Sequence, residues 1–116
     1  MMTNYQLAQM TTEAMQEQAP AALASLVDQN QLVPFLMKKI QAFLLEFVRR
    51  MEGQPPAAEL TIAESLYPML TDYPPEKVKI PLTSIQESKL REQIFQFEDQ
   101  MNSEISQADR SEPTYA

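Results

Sequence analysis

Residues 33–52, VPFLMKKIQAFLLEFVRRME, decide the fold. Phe35, Leu36, Met37, Ile40, Phe43, Leu44, Phe47, Val48 and Met51 recur at helical spacing and cover more than half the circumference of one helix. Pro34 suits a first turn, where no intrahelical N–H is needed, and Gly53 suits a left-handed stop. A helix apolar over so wide an arc needs neighbours on more than one side, so residues 33–52 are expected at the centre of an all-α core.

The flanking sequence is divided by prolines. Leu7, Met10 and Ala14, three and four apart, predict an amphipathic helix over 4–18 with a narrow apolar stripe. Pro20 opens a second, short helix over 20–28 bearing Leu23, Leu26 and Val27, and Asp28-Gln29-Asn30 breaks it. Leu60, Ala63 and Leu66 predict a helix over 57–67. Residues 68–84 read as an extended, proline-rich connector. Within it Lys77-Val78-Lys79-Ile80-Pro81-Leu82 alternates like a strand. The sequence offers no second strand to pair with it, so Val78, Ile80 and Leu82 are expected to lie on the core. Ser84-Ile85-Gln86-Glu87 fits a capping box and predicts a last helix over 85–106. The expectation is one domain over residues 1–106, a bundle of four to five helices. A disordered acidic tail follows over 107–116.

Composition narrows the chemistry. The chain has no histidine, cysteine or tryptophan and one glycine. Imidazole bases, thiolates, the usual zinc ligands and glycine-rich phosphate loops are therefore absent. Neither G-x-S-x-G nor S-x-x-K occurs. Glu98, Asp99 and Glu104 are the nearest approach to a carboxylate cluster and lack calcium-loop spacing. The reading is a non-enzyme without metal or cofactor. Eight methionines suit both helical cores and adaptable contact surfaces. Zero cysteine favours the cytoplasm. No signal-like N-terminus is read, and Glu46 interrupts the richest apolar run, so no membrane span is expected.

Nine basic against sixteen acidic residues give a net charge of −7. Residues 1–37 carry −3, residues 38–91 carry +1, and residues 92–116 carry −5. Direct nucleic-acid binding is not expected from such a balance. Lys39, Arg49 and Arg50 lie on one strip of the helix over 33–52, with Glu46 placed to pair with Arg49 or Arg50. The strip is either a solvated face or a docking site for an acidic partner or for the chain's own acidic C-terminal part.

Leu90, Ile94, Phe97, Met101 and Ile105 follow at intervals of four, three, four and four, close to a coiled-coil seam. This seam and the Leu7–Met10 stripe either pack on the helix over 33–52 or meet a partner. The leading expectation is a helical protein-protein interaction module, an adaptor, assembly chaperone or regulator. It would bind a protein partner or a second copy, as a homodimer, through these stripes. The alternative is an acidic inhibitor that occupies a basic groove, with Glu92, Glu98, Asp99, Glu104 and Asp109 imitating nucleic-acid phosphates.

Overall fold

The computed structural model describes residues 2–110, with side chains as far as Ser103. It is all-helical, and no strand forms among the described residues. The order is α1 (Asn4–Gln18), α2 (Pro20–Asp28), α3 (Leu32–Met51), a 3₁₀ turn (Pro56–Ala58), α4 (Glu59–Leu66), α5 (Pro68–Thr71) and α6 (Ser84–Arg110). Five of these helices are the expected ones. The single turn α5 falls within the expected connector over 68–84, because four residues are too few for a periodic signal. α6 continues to Arg110, so the expected tail is helical over 107–110, and its remainder, 111–116, lies outside the described residues.

α3 contacts every other helix, as expected of a central element. Pro34 lies in its first turn, and Gly53 takes φ +76° just beyond its end. Leu32, Leu36, Met37, Ile40 and Phe43 are buried. The expectation of cover on several sides fails beyond Phe43, where Leu45 and Val48 face solvent. The Cα envelope measures 54 × 33 × 16 Å, and its thin dimension holds only two layers of helices about 10 Å across. In such a slab the outer face of a broadly apolar helix stays open.

α1 buries Leu7, Ala8, Thr11, Thr12 and Met15, whereas Met10 and Ala14 are half-buried. The inward face is therefore rotated by about one residue from the expected stripe, near 100° at 3.6 residues per turn. The threonines permit this. Their hydroxyls donate to the carbonyls of Leu7 and Ala8 at 2.9 and 3.0 Å, which satisfies each buried oxygen within its own helix.

α2 ends on Asn30 at φ +54°, with Gln31 N–H returning to Leu26 O at 2.8 Å and Asn30 N–H to Val27 O at 3.2 Å. Asparagine tolerates the left-handed region, and the paired return bonds form a Schellman closure. The start of α2 has no side-chain cap of its own. Glu76 supplies one from the connector, accepting from the N–H groups of Ala21 and Ala22 at 3.0 and 3.1 Å. An anion placed there also complements the helix dipole. Gln18 holds the same crossing, donating to Thr71 O at 2.7 Å and accepting from Tyr73 N–H at 3.0 Å.

The capping box of α6 is shifted by one residue from the expected one. Thr83 Oγ1 accepts from Gln86 N–H at 3.1 Å, and Gln86 Oε1 accepts from Thr83 N–H at 2.9 Å. Gln86 is the better partner because its amide also donates, reaching Asp28 Oδ2 at 3.0 Å and tying α6 to α2. Of the connector side chains expected on the core, only Leu82 is buried, and Val78 and Ile80 are exposed.

Candidate functional site

Five of the seven residues expected to meet a partner complete the protein's own core. Leu7, Leu90, Ile94, Phe97 and Met101 are all buried within one apolar cluster with α2 and α3. The first of the two alternatives for the seam, packing against α3, therefore describes the protein. Spacing alone leaves this open, because the same heptad pattern serves a helix inside a chain and one between chains. Met10 is half-buried on the opposite side of α1 from the threonines, and the side chain of Ile105 lies outside the described residues.

The electrostatic candidates are also engaged internally. Glu46 is bracketed by Arg49, whose Nε donates at 3.0 Å, and by Arg50, whose Nε donates at 3.0 Å. These hydrogen bonds, Arg49's first, hold the Glu46 carboxyl down at about 2. Both arginines remain exposed, so the pairs contribute little to stability. Lys39 is half-buried, with Nζ 5.2 Å from the Tyr73 ring centroid and 5.7 Å from that of Phe35. Both rings lie within cation–π reach of its ammonium.

Tyr73 carries a pH dependence. Its hydroxyl donates to Leu70 O at 2.7 Å, and burial pushes its pKa up to about 12. The unfolded chain therefore releases this proton first, near pH 10, and binds fewer protons than the native state until about pH 12. Stability should be complete below pH 10 and fall as pH rises from 10 to 12. Urea titrations of Tyr73→Phe should lack this component of the decline, and an unchanged alkaline slope would contradict the assignment.

Glu92 and Asp99 are exposed on α6, Glu98 is half-buried, and the side chains of Glu104 and Asp109 lie outside the described residues. Among the described residues no group of three or more acidic side chains could hold a metal ion. No described helix is long and apolar enough to cross a membrane.

What the sequence reading missed is an exposed surface on α3. Leu45 is 73% and Val48 60% solvent-exposed. They share a face with Lys38, Gln41, Ala42 and Arg49, all exposed. The signal was present: Leu45 lies seven residues after Lys38 and four after Gln41, so it continues a polar line rather than the apolar one. Val48 stood in the apolar arc but at its margin. Comparison with protein-family models, with curated proteins and with solved structures finds no match for the chain.

Proposed function

We propose that this protein is a non-catalytic helical interaction module that contacts a protein partner through the outer face of α3. The supporting observation is the pair Leu45 and Val48, large aliphatic side chains one turn apart, left exposed on the helix that otherwise organises the core. Single exposed aliphatics are ordinary on protein surfaces, but this adjacent pair, with exposed Lys38 on the same face, forms a small apolar centre with one basic edge. Such a centre suits a partner helix that carries an apolar stripe beside acidic residues.

The test uses the full chain. Truncation before Leu90 would remove four core side chains and measure unfolding instead. Affinity capture from native lysate should recover a partner with the wild type and lose it with Leu45→Ser/Val48→Ser. Circular dichroism of the double variant should be unchanged. Capture of the same proteins by both forms would reject the α3 surface. A complex that dissolves steeply with added salt would favour the acidic inhibitor instead, since apolar contacts respond weakly to screening.

A further inference from the structure

The connector between α5 and α6 is fastened at both ends and bare between them. At its start Glu76 N–H donates to Gln18 O at 2.8 Å, while its carboxylate caps α2. At its end Leu82 is buried and Thr83 caps α6. From residue 77 to residue 82 no backbone group takes part in a hydrogen bond among the described residues. The chain bends at Lys77 and Val78, and Pro81 holds Ile80 toward the extended region.

The side chains here are not those of a plain linker. Val78 is 74% and Ile80 70% exposed, among the most exposed large apolar side chains of the described residues. Lys77 and Lys79 alternate with them, both exposed and in no ion pair among the described residues. The fold gains nothing from two β-branched side chains in water, and linkers are ordinarily polar. A segment already fastened at both ends also loses little conformational entropy when a partner grips it.

We infer that residues 77–81 form a recognition strap that docks into a groove of a partner protein, one with an apolar floor for Val78 and Ile80 and an acidic rim for Lys77 and Lys79. This deepens the interaction-module reading, on which it rests, by adding a second surface and the chemistry of what it meets. Charge selects the occupant. A second copy would set these lysines against their own counterparts and bring two chains of net charge −7 together. An anionic membrane or a nucleic acid would gain two cations against that same overall charge. An acidic-rimmed protein groove satisfies the lysines, the unpaired backbone and both aliphatic side chains together.

The test places a photocrosslinking residue in the full-length chain, as Val78→p-benzoylphenylalanine or Ile80→p-benzoylphenylalanine, with exposed Glu64 on α4 substituted likewise as control, and irradiates in native lysate. The expected result is one protein adduct common to positions 78 and 80 and absent at 64. Lys77→Glu/Lys79→Glu, or an excess of synthetic peptide spanning residues 76–83, should reduce its yield about tenfold. An adduct indifferent to both, a nuclease-sensitive adduct, or no adduct above the control would overturn the strap. Val78→Asp/Ile80→Asp should keep the wild-type melting temperature, and an unfolded variant would show that these side chains serve the fold. Failure at 78 and 80 with Leu45-dependent capture intact removes the strap alone, whereas loss of both removes the interaction reading itself.

Discussion

Phe97→Ala should lower the free energy of unfolding by about 3–5 kcal/mol, the range for deleting a buried aromatic side chain. Phe97 is fully buried on α6, in one cluster with Leu36 and Ile40 of α3 and Leu23 and Val27 of α2. Its removal leaves a cavity between layers only two helices deep, with few other atoms able to move in. Domains of this size hold roughly 5–15 kcal/mol in total, so the variant should lose a large share of its stability. Urea denaturation followed by far-ultraviolet dichroism measures the effect. Leu45→Ser, at an exposed site, should change the unfolding free energy by no more than about 0.5 kcal/mol. A wild-type midpoint for Phe97→Ala would mean that α6 is not part of the core and would restore its seam as an interface.

That contrast marks where the sequence was readable. The ends of α3 were, because Pro34 and Gly53 are local backbone signals that need no tertiary context. The burial of Leu90, Ile94, Phe97 and Met101 was readable as apolar contact, but not as contact with α3 rather than with another chain, since periodicity carries no address. The inward face of α1 is not legible because threonine counts as polar in any pattern, yet Thr11 and Thr12 satisfy their hydroxyls on the Leu7 and Ala8 carbonyls and are buried. The cap of α6 moved by one residue for a tertiary reason, the Gln86 bond to Asp28.

The connector departs from its pattern for a tertiary reason. Alternation of Val78, Ile80 and Leu82 ordinarily reports burial on one side, and Leu82 obeys. Glu76 and Gln18, fifty-eight residues apart, instead fix the strap's start at the α1–α2 junction. From there the chain passes outside the core until Leu82. No local pattern encodes those bonds. The candidate surfaces at Leu45–Val48 and Val78–Ile80 therefore became visible only once the core had been assigned.

The second large effect is expected at Gln93, which sequence spacing left unremarked. It is buried on α6, and its Nε2 donates to Val27 O at 3.0 Å and to Asn30 Oδ1 at 3.3 Å, while its Oε1 has no hydrogen-bond partner. Both neighbours of the amide nitrogen are acceptors, so the site requires a donor. Gln93→Glu removes it and, when ionised, places a buried charge against two oxygens, at a cost of about 3 kcal/mol or more. The introduced carboxyl is harder to ionise in the native state than in the unfolded one, so its pKa is raised above the usual value near 4.3. The variant's deficit relative to wild type should therefore be smallest below pH 4, where the protonated group can still donate to Val27 O. It should grow as pH rises through the carboxylate range. Gln93→Met separates charge from packing. It also removes the unpartnered oxygen, and Val27 O keeps the Asn30 N–H at 3.2 Å, so the cost should stay within about 1 kcal/mol. Urea midpoints of wild type and both variants at pH 3.5 and pH 7 give the comparison. If Gln93→Glu matches wild type at pH 7, the side chain is solvated and α6 does not close over the α2–α3 junction.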